Sequence, residues 1–290
     1  MSLSLRFWGT RGSIPSPGPL TARYGGNTPC VEVRGADGRL IILDAGSGIR
    51  GLGRWLIDTS GGPISADILL THGHWDHIQG IPFFAPLFVP GNKIRIWGSD
   101  ALERPIEAVV REQMGPVVFP VMFNEVAAKV EFCRISIGKT YDLGCKISTM
   151  SVRHPGGALA IKITDGAPTN TAVYISDNEL GPGGDALPGA ATTWHGALVK
   201  FVRGAKVLVH DATYTSDEYH MHRGWGHSIP EESVELAIES GIEQLVLFHH
   251  KPDRTDDEID DAVARCTAMI EKRGARLSVV AAAEGMTVFV

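Results

Sequence analysis

The stretch that most constrains this chain is LTHGHWDHIQG, residues 70–80. It follows ADIL, an apolar run of the kind that forms a strand buried on both faces, and it places His72, His74, Asp76 and His77 within six positions. In an extended chain alternate side chains share a face, so His72 and His74 can reach one ion. Asp76 and His77 follow where the chain should turn into a helix, and they face a second position beside the first. A carboxylate with imidazoles suits zinc, and also manganese or iron. The alternative reading is a polar turn that happens to be rich in histidine. A single histidine fits that reading; four ligand-type residues at the end of a buried strand fit it poorly.

Other apolar strands end in residues of the same chemistry. STMSVRH ends in His154, AVYISD in Asp177, KVLVHD in His210 and Asp211, and QLVLFHH in His249 and His250. Strand ends gathered along one sheet edge bring such groups from distant sequence onto one rigid rim. The four cysteines, Cys30, Cys133, Cys145 and Cys266, form no CxxC pair and suit neither a disulfide framework nor a zinc ribbon. They read as small, mostly buried thiols.

The pattern between these points is ordinary for a globular chain, with 43% hydrophobic and 21% charged residues in 290. Strands are expected over 3–9, 30–35, 39–46 and 66–70, with a helix from Ser47 and another near Asp100 to Arg111. Strand-like runs return from KVEFCRI to KVLVHDAT. The helices PEESVELAIESG and DDEIDDAVARCTAMIEKRG flank the strand QLVLFHH, and the tail RLSVVAAAEGMTVFV supplies one or two more strands. Helices laid outside two packed sheets are the expected arrangement, in a single domain spanning 1–290. No apolar run approaches the ~20 residues of a membrane helix, and the N-terminus lacks a secretory pattern, so a cytoplasmic location is the default. The net charge of −6 argues against gripping long nucleic acid, which usually needs a basic surface.

HGHWDH fits the HxHxDH signature of the metallo-β-lactamase superfamily, and the later order of a lone His, an Asp, then a His after an apolar strand is similar too. Within that superfamily the chain most resembles the ribonuclease Z-like branch, which includes cyclic nucleotide phosphodiesterases. GTRGSIPSPG resembles the branch's first glycine-rich loop, LVHDATY its "HEATF" stretch, and GHSIPEE its His-Ser-Thr loop. The resemblance runs from Phe7 to about Pro252. It implies a four-layer αββα sandwich with two divalent metal ions, zinc first, with manganese or iron as alternatives. His72, His74 and His154 would hold one metal; Asp76, His77 and His249 the other; Asp177 would bridge them. His227 would be the general acid and Asp211 its orienting partner.

An alkoxide is a poor leaving group, so a general acid points to phosphodiester rather than acyl hydrolysis. Ribonuclease Z proper carries a long transfer-RNA-clasping arm between the third metal His and the bridging Asp. Here the segment between His154 and Asp177 holds only 22 residues. The expected substrate is therefore a small phosphodiester, first a 3′,5′-cyclic mononucleotide, with no long nucleic acid. The alternatives are an acyl hydrolase of lactonase or β-lactamase type and a ribonuclease Z-type nuclease. Related enzymes are commonly dimers, which makes a homodimer the expectation.

Several positions stay open at this level. Strand alternation allows only one of His249 and His250 to face the metals, and the resemblance favours His249. His210 suits a satisfied core histidine, and His195, His220 and His222 suit surface polar positions. Asp44 in LDAG either braces the site or makes a turn. YGGNT, residues 24–28, either offers N–H groups to a phosphate or turns tightly. The segment 91–130, with the apolar cluster Phe119, Val121, Met122 and Phe123, is explained by none of this.

Overall fold

The computed structural model describes residues 3–99, 104–181 and 193–290. The short runs of Ile, Leu and Val form strands. The first sheet is built from β1 (Ser4–Gly9), β2 (Cys30–Arg34), β3 (Leu40–Leu43), β4 (Ser65–Leu69), β5 (Lys93–Ser99) and β6 (Lys129–Ile135). The second holds β7 (Thr140–Asp142), β8 (Lys146–Val152), β9 (Ala158–Thr164), β10 (Thr171–Ile175), β11 (Val207–Asp211), β12 (Gln244–Phe248) and β13 (Ser278–Ala281). The last strand, β14 (Thr287–Phe289), returns to the first sheet and pairs antiparallel with β1. The strand orders are β14-β1-β2-β3-β4-β5-β6 and β13-β12-β11-β10-β9-β8-β7, so each sheet has seven strands.

The central strands β3, β10 and β11 are buried along their whole length, which is why they are built mainly of apolar residues. Along β3, Ile41 and Leu43 point into the layer between the sheets, while Leu40 and Ile42 point outward beneath helices. The inter-sheet layer is closed by aromatic packing of Phe7 on Phe248 (5.9 Å between ring centres) and of Tyr174 on Phe248 (5.4 Å). Outside the first sheet lie α1 (Ile49–Thr59), the short α2 (Trp75–Ile78) and α3 (Ile106–Gln113). Outside the second lie α4 (Trp194–Val202), α6 (Pro230–Ser240) and α7 (Asp256–Arg273), and the single turn α5 (Ser216–Tyr219) follows β11. The architecture is the expected four-layer αββα sandwich.

Helix ends follow local chemistry. Thr255 and Glu258 close a reciprocal cap at the start of α7, and Gly274 ends it in the left-handed conformation. The helix expected near Asp100 to Arg111 begins at Ile106, after Pro105 at its N-cap; residues 100–103 lie outside the described residues. The unexplained segment 91–130 resolves into β5, α3 and the start of β6. Phe123 of its apolar cluster is buried, whereas Met122 is exposed. No helix among the described residues is long and apolar enough to cross a membrane.

Strands β3, β4, β5 and β6 run parallel, as do β10, β11, β12 and β13. β8 runs in the sense of β10, because each is antiparallel to β9. The C-terminal ends of β4, β8, β10, β11 and β12 therefore deliver 72–77, His154, Asp177, Asp211 and His249 to one rim, the edge where open α/β sheets present ligand sites.

Candidate metal centre

At the end of β4 the chain turns through His74, the N-cap of α2, and the four-residue helix then carries Asp76 and His77. Donor atoms of His72, His74 and His154 lie within 4.8 Å of one another, and so do those of Asp76, His77 and His249. Asp177 stands between the two groups. Its carboxylate is 3.8 Å from His72 Nε2 and 3.7 Å from His154 Nε2 on one side, and 3.0 Å from His77 Nε2 and 3.4 Å from His249 Nε2 on the other. His74 joins through Nδ1, 2.9 Å from His154 Nε2.

The rings are aimed by a second layer of hydrogen bonds. Asp44 is fully buried at φ +58° and accepts from the Thr71 amide (2.8 Å) and hydroxyl (2.9 Å), the Tyr174 hydroxyl (2.9 Å) and His77 Nδ1 (2.9 Å). Because the Thr71 hydroxyl donates to Asp44, its oxygen accepts from His72 Nδ1 at 3.0 Å. His154 Nδ1 donates to the Gly226 carbonyl (3.0 Å), and His249 Nδ1 to Thr213 Oγ1 (3.1 Å). Each of these four imidazoles thereby keeps its Nε2 lone pair for the centre of the site. Gly226 is required where it is. At φ +85°, a Cβ there would stand 2.2 Å from the His154 ring.

Three buried atoms, His72 Nε2, His77 Nε2 and Asp177 Oδ1, have no aligned hydrogen-bond partner. Buried polar atoms of this kind are rare without an ion or water. With imidazoles and carboxylates converging on a shared Asp, this donor set suits two divalent cations. Burial holds the His72 imidazole well below the ordinary histidine range and lowers those of His74 and His154. Burial pushes the Asp177 carboxyl up, but the neighbouring His249, His77 and His72 outweigh it and hold the group well below the usual carboxylate range.

His227 stands beside this cluster. Its Nδ1 donates to Asp211 Oδ2 at 2.7 Å, and its ring stacks on His249 at 4.9 Å. Burial disfavours the imidazolium, yet the Asp211 carboxylate overrides it and pushes the pKa up to about 9. Asp211 is itself fixed by the Thr213 hydroxyl (2.8 Å) and the amides of Thr213 (3.0 Å) and Asn178 (3.2 Å).

The residues left open in the sequence now have places. His249 lies past the end of β12 at φ +58°, so a left-handed turn, rather than strand alternation, separates it from His250. His250 faces away and meets the Ala282 carbonyl through Nε2. His210 is a satisfied core residue bonded to Ser233 Oγ (2.8 Å) and Asn178 Nδ2 (3.2 Å). His195 pairs with Glu239 at the surface, His220 is exposed, and His222 stacks on Tyr214. Glu179 drew no notice in the sequence. Its carboxylate accepts from Tyr219 Oη (2.8 Å) and the amides of Gly224 (2.9 Å) and Gly226 (3.0 Å), fixing the loop that carries His227. Its one sequence signal is its position two residues beyond Asp177.

A family model described as a β-lactamase superfamily domain matches residues 39–250. Ribonuclease Z of Bradyrhizobium sp. (strain ORS 278) is 29% identical over 294 aligned positions, covering 88% of this chain and 92% of that protein. The metallo-β-lactamase fold protein YhfI from Bacillus subtilis superposes with a TM-score of 0.69 at 18% identity, covering 99% of this chain and 98% of that one. A diphosphatase from the PhnP family does so with a TM-score of 0.65 at 19% identity, with the same coverage.

Proposed function

The chain belongs to the metallo-β-lactamase superfamily, and from that premise we propose that this metal-dependent hydrolase is a two-metal phosphodiesterase. His72, His74 and His154 would hold one cation and Asp76, His77 and His249 the other, with the Asp177 carboxylate available to both. Zinc is the first candidate for such a His-rich set, with manganese or iron as alternatives. The bound pair would activate the attacking water and neutralise charge on the phosphoryl group.

The observation that carries the phosphodiester reading is the His227–Asp211 pair on the rim of the donor cluster. Asp211 accepts from His227 Nδ1, which turns Nε2 away from Asp211 and favours the protonated ring. His227 then gives its Nε2 proton to the departing alkoxide. A lactone or lactam makes less demand on such a group.

The ribonuclease Z relative, matched over most of its length, supports an RNA substrate better than the cyclic mononucleotide suggested by the sequence. A small phosphodiester is kept as a second reading on one observation. β9 and β10 fill most of the segment between His154 and Asp177, and the turn joining them is short, from Thr164 to Thr171.

The test is His227→Ala on two diesters. With a nucleoside leaving group the turnover rate should fall roughly 10²–10⁴-fold, the usual worth of a general acid. With a p-nitrophenolate leaving group, which needs no proton, the loss should be far smaller. Equal losses on both would remove His227 from the acid role.

A further inference from the structure

We infer that the first glycine-rich loop, Arg11 to Ser13, is a positioning element for the second metal; the inference rests on the two-metal reading above. Two contacts carry it. The Ser13 amide donates to Asp76 Oδ2 at 2.7 Å, from a residue held at φ +63°. That conformation is costly for a residue with a side chain, so the rest of the loop must enforce it. Gly12 lies against the His249 ring so closely that a Cβ there would stand 2.2 Å from Cε1 and 2.4 Å from Nδ1. That ring has nowhere to retreat. It is stacked between His77 (5.4 Å, 15°) and His227 (4.9 Å, 19°), and Thr213 holds its Nδ1.

Arg11 supplies the anchor. Its side chain is fully buried, and its guanidinium donates to the carbonyls of Gly25 (2.7 Å), Lys251 (3.1 Å) and Arg254 (2.7 Å), with Asp256 3.6 Å away. The Gly12 amide also donates to the His250 carbonyl (2.9 Å). The loop therefore ties itself to the segment just after His249 and presents one N–H to Asp76. Both protein donors that belong to the second metal alone, other than His77, are set by this loop. Among the described residues, Arg11, Gly12 and Ser13 make no hydrogen bond or ion pair with His72, His74 or His154.

The consequence is selective. Gly12→Ala should displace His249 and weaken the second metal while leaving the first. Equilibrium dialysis against zinc should show two tight sites in the wild type. In Gly12→Ala it should show one site unchanged and one weakened at least tenfold, with an unchanged far-ultraviolet circular dichroism spectrum. Cobalt substitution gives a second readout, because only the spectrum of the second ion should change. Gly18→Ala, in the same loop with only Thr21 Oγ1 near its added methyl at 3.9 Å, should match the wild type. If Gly12→Ala fails to fold, Arg11→Lys serves instead, since one ammonium cannot span the three carbonyls; it should weaken the same site. Two wild-type affinities in the variant, or equal weakening of both sites, would overturn the inference. Wild-type protein that binds fewer than two ions would overturn the two-metal reading itself, and the inference with it.

Discussion

Asp44 shows how much of the site depends on single residues outside the donor set. One buried carboxylate receives Thr71, Tyr174 and His77, and through Thr71 it also fixes the tautomer of His72. It thus orders one imidazole in each half of the cluster. Asp44→Asn keeps the volume but replaces one accepting oxygen with a donor, so His77 loses its partner or flips. Losing such an outer partner typically costs 10–100-fold in metal affinity. Competition with a coloured chelator should show a loss of that size in Asp44→Asn. Wild-type affinity in the variant would show that Asp44 makes only the turn that its LDAG context also allows.

At the scale of elements, the site is set by loops that follow strands, and those loops are clamped by charges. Glu218 in α5 accepts from Lys251 Nζ (2.7 Å) and is paired with Arg254, joining α5 to the segment after His249. Burial pushes its carboxyl up, but the hydrogen bonds from Lys251, the Thr215 amide and Arg254 outweigh this and hold it at about 2, against an ordinary 4.5. Its folded-state pKa is depressed, so its contribution to stability is full above about pH 4.5 and disappears as pH falls through about 2. Denaturant unfolding of Glu218→Gln and wild type should therefore differ most near neutrality and converge by pH 2. A gap independent of pH would mean the pairs contribute nothing.

Elements also show what was legible in the sequence. The buried parallel strands announced themselves, because a strand covered on both faces has no polar alternation to hide it. The motif at the end of β4 was equally plain, since its donors are adjacent in sequence. β5 was missed, because KIRIWGS alternates charge with apolar residues at the start of a segment whose prolines and glycines suggested irregular chain. α4 was missed because it is short and apolar, without an acidic first turn. Strand alternation lets only one of His249 and His250 face the cluster, and the resemblance favours His249; in the structure His249 lies beside Asp76 and His77, and a left-handed residue at the strand end, not alternation, separates the two. Asp44 stood open between brace and turn in LDAG, and its contacts to Thr71, His77 and Tyr174 are what decide between them; Glu179 and the Thr213–His249 contact join residues distant in sequence, which no local pattern reveals.

For the whole molecule, two sheets sharing one apolar layer create a rim to which five strand ends contribute, and the chemistry sits where no single element could assemble it. On the reading proposed above, this rim is a two-metal phosphodiesterase site. The most direct test is turnover by zinc- or manganese-loaded protein of a panel comprising a short RNA, a dinucleotide, a 3′,5′-cyclic nucleotide and a lactone, with Asp76→Ala as the blank. Diester hydrolysis is expected that disappears in the blank, with RNA ahead of the cyclic nucleotide and the lactone untouched. Turnover of the lactone with every diester left intact would contradict that reading.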